Sequence, residues 1–357
     1  MPAPPRSEAL LAALRLVAPG TQLREGIERI IQARMGALIV VGAGPDVLSV
    51  CSGGFLLDAE FTPQRLSELA KMDGAIILTA ECGRIVRSNV HLVPDPNIPT
   101  AETGTRHRTA ERVARQIDVP VITISEDRSE VAIHVRGLKR AIEPTPRVLA
   151  RADQALQILE RYKTRLDAVS GALSALEVED LVTVRDVATV LQRAEMVRRI
   201  AMEIEGYVIE LGADGRLVML QLDELFGGVE HDRRLVAKDY GDEHASRDLD
   251  EILERLALVD DDDLLDLHLV AAVLELPADI GLESAVQPRG FRLLHKIPRI
   301  PESVSDHVVA RFATLQKIMR ASEADLVTVE GVGDARAKAI KDGLARLAES
   351  SILERYT

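Results

Sequence analysis

The chain of 357 residues has no tryptophan, only two cysteines, and aromatic residues at 3%. Its cores must therefore be built from Leu, Val, Ile and Ala, and it offers no aromatic platform for stacking single-stranded bases. Cys51 and Cys82 form no CxxC pair, so neither a thiolate metal knuckle nor a disulfide framework is expected. No apolar run is long enough to span a bilayer. Met1–Arg6 lacks the basic-then-apolar order of a secretion signal, so a cytoplasmic location is expected, with no membrane partner. There is no HExxH, and no GxxxxGK followed by Ser or Thr, so a nucleotide site here is not a P-loop. The net charge of −13 argues against general coating of nucleic acid.

What is present is aliphatic content, 46% hydrophobic, enough for two or three domains with real cores. Residues 1 to about 140 alternate helical and strand patterns. Ala9–Val17 reads as a helix and Ala37–Val41 as a strand closed by Gly42-Ala43-Gly44-Pro45. Thr62–Ala70 reads as a helix with Thr62 as N-cap and Pro63 at the first position. Strands over 75–79, 84–88, 121–125 and 131–135 complete a mixed α/β domain around one sheet.

Gly104–Ala110 places Thr105, Arg106, His107, Arg108 and Thr109 where a helix begins. Ala110, Val113, Ala114 and Ile117 fall at i, i+3, i+4 and i+7, one apolar face. The cationic cluster thus occupies the first turn. There, free backbone N–H groups and the helix dipole favour an anion, and guanidinium forks suit phosphate oxygens. A basic first turn can equally be solvated surface, and Asp-Gly is a common turn. Together, however, the cluster and Asp73-Gly74-Ala75, which precedes the apolar run Ile76-Ile77-Leu78, suggest nucleotidyl transfer. Such chemistry needs a carboxylate to hold Mg²⁺ or Mn²⁺ or to orient a hydroxyl, and cations to stabilise phosphate charge.

With Ser52-Gly53-Gly54-Phe55, Glu102-Thr103-Gly104 and Ser125-Glu126-Asp127, these stretches resemble the signature of the diadenylate cyclase (DAC) domain family. The resemblance implies condensation of two ATP molecules into cyclic di-AMP, with Mg²⁺ or Mn²⁺, by two domains face to face. Asp73 is then the metal-binding or hydroxyl-orienting carboxylate, and Gly74 and Ala75 let the nucleotide lie against the backbone. Arg106, His107 and Arg108 hold the triphosphate; Thr105 and Thr109 bond phosphate oxygens. Ser125 and Glu126 border the phosphate and metal region, and Leu92 packs on adenine. No dedicated base is assigned; a metal-lowered hydroxyl pKa serves equally.

Glu143-Pro144-Thr145-Pro146-Arg147 reads as a rigid linker, and the chain beyond it as helical. Leu159, Tyr162, Leu166, Val169, Leu173 and Leu176 step by three and four, an a/d seam. A second helix is expected from Val184 to Leu211, stopped by Gly212-Ala213-Asp214-Gly215. The acidic tract 242–266, with Asp260-Asp261-Asp262-Asp263, reads as a solvated helix face. From Val286 onward the charge is +3, against −16 for the rest. Within it, Gly331-Val332-Gly333 and the following helix resemble a helix-hairpin-helix motif. Its turn offers backbone N–H groups to a DNA phosphate, with Lys338 and Lys341 as counter-charge. A weaker copy lies 32 residues earlier, with Arg299 and Pro301 in place of the glycines.

The expected architecture is therefore multidomain: an α/β DAC domain with a mixed central sheet (1–143), an all-α helical linker domain (144–285) and an all-α tandem helix-hairpin-helix DNA-binding domain (286–357). The resemblance further implies a homo-octamer and slowing of synthesis by branched or recombining DNA. Two rival readings are a nucleotide sensor without catalysis and a DNA repair or structural protein with a passive head.

Overall fold

The computed structural model describes residues 8–126, 130–241, 249–276 and 280–354, and the side chains of these through residue 349. Met1–Arg6, Asp127 and residues 242–248 of the acidic tract lie outside the described residues. The chain forms two compact units, Met1–Ala155 with Glu203–Gln221, and Leu156–Met202 with Leu222–Thr357.

The first unit begins with α1 (Glu8–Leu16), α2 (Gln22–Gln32), β1 (Ala37–Val41), α3 (Pro45–Ser49), β2 (Cys51–Ser52) and β3 (Phe55–Glu60). It continues with α4 (Pro63–Leu69), β4 (Ala75–Leu78), β5 (Arg84–Leu92), α5 (Thr105–Gln116), β6 (Val121–Ile124), β7 (Val131–Val135) and β8 (Leu138–Ala141). The strands form one mixed sheet in the order β2-β5-β4-β1-β6-β7-β8, with β3 also paired to β5. Among the hydrogen-bonded neighbours of the described strands, only β1 and β4 pair in parallel.

Alternation along the strands separates two cores. Ile39, Val41, Ile76, Leu78, Ile122 and Ile124 face Leu23, Ile27, Ile30 and Leu66 of α2 and α4. Leu38, Val40, Ala75, Ile77 and Val90 face Ala110, Val113 and Ala114 of α5. The central strands are thus buried on both faces, as their unbroken apolar runs require. Thr62 caps α4 by accepting from Arg65 N, with Pro63 in the first turn. Strand β5 runs four residues beyond the expected 88 and carries Leu92 at its end. The additional α2 has Thr21 as N-cap.

The Pro-rich stretch at 143–147, expected as a rigid linker, runs into a helix. Pro144 and Pro146 sit at the start of α6 (Thr145–Glu179), where a missing N–H and fixed φ are tolerated. On the seam, Leu159, Leu166 and Leu173 are buried, while Tyr162, Val169 and Leu176 are half-buried. α7 (Val184–Leu211) follows as expected and ends in a 3₁₀ turn at Gly212–Gly215.

α8 (Arg216–Phe226), α9 (Val229–Tyr240), α10 (Leu249–Leu258) and α11 (Leu267–Ala272) come next. Within the acidic tract, the aspartate run is not a helix face. It lies in a turn after α10 leading to a short 3₁₀ helix at Asp263–Leu265, and Asp261 pairs with Arg199 at 2.5 Å.

The tail comprises α12 (Phe291–His295), α13 (Glu302–Phe312), α14 (Leu315–Arg320), α15 (Glu323–Val327) and α16 (Asp334–Glu354). α12–α13 and α15–α16 repeat each other at an offset of 32 residues, matching the sequence copies. Arg299 (φ 68°) occupies the left-handed position that Gly331 (φ 82°) holds in the second copy. A buried ionic cluster fixes the tail within the second unit. Arg292 of α12 donates to Glu177 of α6 at 2.6 Å, and Tyr240 donates to the same oxygen at 2.7 Å. Asp239 accepts from the backbone N–H groups of Gly290, Phe291 and Arg292. Burial and the Glu177 carboxylate push its pKa up to about 7 against those three donors.

Candidate active site

The sheet gathers the signature residues at one end. There the amino ends of β1 and β4 meet the carboxyl ends of β5 and β6, because Ala37 pairs with Ile124 and Ala75 with Val90. Ligands in open α/β sheets usually lie at the carboxyl ends of the parallel strands. Here they would meet the opposite ends of the parallel pair, where the first turn of α5 also arrives.

Two adjoining clefts open at this end. The larger, about 650 Å³, has an apolar floor that includes Leu38, Ala75, Val90 and Leu92. Asp73, Gly74, Thr105, Arg106 and Thr109 also line it. The smaller, about 360 Å³, is polar, with Thr105, Arg106, His107, Ser125 and Glu126 on its walls. Thr105 and Arg106 belong to both. Arg106 Nη2 stands 3.9 Å from Asp73 Oδ1, whose side chain is fully exposed. Of the expected head residues, only Arg108 lines neither cleft.

Two glycines make this geometry possible. A Cβ on Gly74 (φ 149°) would lie 2.7 Å from Asn89 backbone atoms, so the Asp73 turn can press against β5 only without a side chain. A Cβ on Gly36 would lie 2.1 Å from Arg106 Nη1, so the guanidinium rests in the space that this residue leaves.

The first turn of α5 presents its cations because the rest of the helix is anchored. Ala110, Val113 and Ala114 are buried, as the periodicity requires. The opposite side stitches down the loop that follows β5. Glu111 accepts from Thr100 Oγ1 at 2.5 Å and Ala101 N at 3.2 Å, and pairs with Arg115. Arg112 donates to Ile98 O and Arg115 to Pro99 O. Burial pushes the Glu111 carboxyl up, but Thr100 and Arg115 outweigh it and hold its pKa low.

Residues 24–138 match the family described as "DisA bacterial checkpoint controller nucleotide-binding", and residues 142–282 match its linker region. The DNA integrity scanning protein DisA of Streptomyces avermitilis is 55% identical over 97% of this chain and 93% of that protein. Those of Acidothermus cellulolyticus and Frankia alni are 55% and 54% identical, over 98% and 100% of this chain and 96% and 100% of theirs. The chain belongs to the DisA family. Its enzyme class is accordingly diadenylate cyclase. A solved DacA from Staphylococcus aureus is similar at 22% identity over 34% of this chain and 85% of that one, with a TM-score of 0.29.

Several cleft residues of this DisA-family head were not singled out by sequence. Leu38 and Asn89 are recognisable only once β1 and β5 are placed. Lys139 meets Glu102 of the signature, 37 residues away in sequence, at 2.6 Å in the smaller cleft. A two-residue turn at Arg136-Gly137, both at positive φ, returns β8 along β7 and brings Lys139 opposite His134. His134 is buried with its ring centroid 6.5 Å from that of His107. Burial, reinforced by the Lys139 charge, lowers its pKa to about 4.

In the tail, Gly331 and Gly333 are exposed, while Val332 is buried in the core and its N–H donates to Val329 O at 3.0 Å. Lys338 is exposed. Lys341 donates to Met319 O at 2.6 Å, which ties its ammonium to the fold.

Proposed function

We propose that the α/β head condenses two ATP molecules into cyclic di-AMP, with release of two pyrophosphates, in a homo-oligomer that brings two heads face to face. Arg106 carries this reading: its side chain lines both clefts and lies beside Asp73. Adenosine fits the larger cleft, where Leu92 and Val90 give it an apolar floor, and the phosphates fit the polar one. The α-phosphorus then falls near Arg106, the boundary between the two. In each half-reaction the 3′-oxygen of one ATP bonds to the α-phosphorus of the other, and the bond to pyrophosphate breaks. Arg106 and His107, in the first turn of α5, stabilise the charge that develops, and Thr105 and Thr109 bond phosphate oxygens. Ser125 and Glu126 border the phosphates.

Mg²⁺ or Mn²⁺ fits the donor set. Asp73 is an exposed carboxylate held only by a long ion pair, and Glu126 is the second oxygen donor beside the phosphates. No group of three or more His, Cys, Asp or Glu among the described residues is placed to hold an ion by itself. That suits a cation bound by one or two carboxylates together with substrate phosphates. Bound there, the metal supplies Lewis-acid stabilisation of phosphate charge.

The three-part organisation, 1–143, 144–285 and 286–357, is proposed to place catalytic heads, helical spine and DNA-binding tails in an octamer. The tail's two equivalent turns, at Arg299–Pro301 and Gly331–Gly333, are spaced as tandem helix-hairpin-helix motifs that hold DNA phosphates without reading sequence. The turn N–H groups and Lys338 face the DNA, and branched DNA slows synthesis. Incubation of the full-length protein with ATP and Mg²⁺ or Mn²⁺, beside Asp73→Asn, tests the reading by chromatography of the products. Cyclic di-AMP is expected from the wild type and none from the variant, which keeps its ATP affinity. ATP binding without product would favour the sensor. An unchanged rate on adding branched DNA would remove the regulatory part.

A further inference from the structure

The smaller cleft contains a cation that the DAC signature does not account for. Lys139 projects from β8, the last strand of the sheet, and its Nζ lies 2.6 Å from Glu102 Oε1. Both side chains line the same cleft as Arg106 and His107. The two partners are held differently. Glu102 lies in the anchored loop, where its backbone N–H donates to Thr100 Oγ1 at 3.1 Å, and Thr100 is itself bonded to Glu111. Lys139 reaches across on a flexible four-carbon stem and is 45% exposed.

An exposed lysine–carboxylate pair contributes little to stability, so it gives way readily to a more highly charged partner. The cleft also carries the carboxylates Glu126 and Glu130. A polyphosphate entering it needs every available cation, and Lys139, a lysine on a flexible stem whose ion pair is with the Glu102 carboxylate, can be released to it. We infer that Lys139 is a further substrate-binding residue, which exchanges its ion pair with Glu102 for the terminal phosphates of ATP and holds them as pyrophosphate leaves. Glu102 is the competing anion: it parks the lysine in the empty cleft and takes it back when pyrophosphate departs.

This inference rests on the cyclase reading for the identity of the phosphates. Its test uses the full-length protein in two measurements. Steady-state kinetics with ATP and Mn²⁺ give KM and kcat, and calorimetric titration with inorganic pyrophosphate and Mn²⁺ gives affinity without turnover. Lys139→Met is expected to raise KM and weaken pyrophosphate binding about tenfold, the size of one charge-assisted hydrogen bond, with kcat changed much less. Lys139→Arg should restore most of both. Glu102→Gln should act in the opposite direction, lowering KM and tightening pyrophosphate binding. Unchanged pyrophosphate affinity in Lys139→Met would overturn the inference. So would Glu102→Gln weakening binding as Lys139→Met does, since the pair would then act only as a clamp on the fold. If the wild type makes no cyclic di-AMP, the cyclase reading fails, and the pyrophosphate titration still decides the role of Lys139.

Discussion

At the residue scale, Gly36 and Gly74 do different work beside the same side chains. A methyl on Gly36 collides with the mobile end of Arg106, whereas a methyl on Gly74 meets the Asn89 backbone at a residue already in the left-handed region. Gly36→Ala should therefore displace the guanidinium and weaken ATP binding about tenfold, with stability changed by less than about 1 kcal/mol. Gly74→Ala should destabilise the head by about 1–3 kcal/mol and lose activity with it. Parallel melts and ATP titrations separate the two; equal loss of stability in both would contradict the role given to Gly36. His134 supplies a pH dependence. Its pKa falls from 6.5 to about 4 on folding, so the unfolded chain takes up a proton that the folded chain refuses. Its contribution is intact above pH 6.5 and is lost progressively as pH falls toward 4. Between pH 7 and 4.5 the wild type should lose about 2–3 kcal/mol more than His134→Asn in denaturant titrations. Identical slopes would show that His134 titrates normally.

At the element scale, what could be read in advance was what periodicity and capping encode. The apolar face of α5, the Thr62–Pro63 start of α4 and the long α7 lie where the spacing puts them. β3 and β8 escaped because Phe55–Glu60 and Leu138–Ala141 are largely exposed and show no inside–outside alternation. α2 did carry a signal, Leu23, Ile27 and Ile30 behind the Thr21 cap. The signature stretches lining the clefts were legible, Glu102 among them, but Gly36, Lys139 and the meeting of Lys139 with Glu102 were not, because only strand order makes these residues neighbours. The Arg292–Glu177 pair joining α12 to α6 was hidden for the same reason. It is buried on both sides, so Arg292→Ala leaves the Glu177 carboxylate in the interior without its counter-charge, held by the Tyr240 hydroxyl. A loss of about 3–5 kcal/mol is expected in the unfolding of the full-length protein. Arg292→Met with Glu177→Leu should recover most of it. A small loss in the single variant would mean that water reaches Glu177.

At the scale of the whole molecule, the proposed function turns on pairing. Cyclisation makes two phosphodiester bonds, and in the proposed face-to-face site each head with its one Asp73 completes only one of them. In a mixed pair of wild-type and Asp73→Asn heads, one bond forms and the reaction stops at a linear dinucleotide. The rate of cyclic di-AMP synthesis should be measured on oligomers co-assembled from the two kinds of subunit at varied ratio. It should fall with the square of the wild-type fraction, so that half wild-type subunits give about one quarter of the full rate, with linear dinucleotide accumulating. A rate proportional to the wild-type fraction, with no linear product, would show that each head cyclises alone and would contradict the paired site.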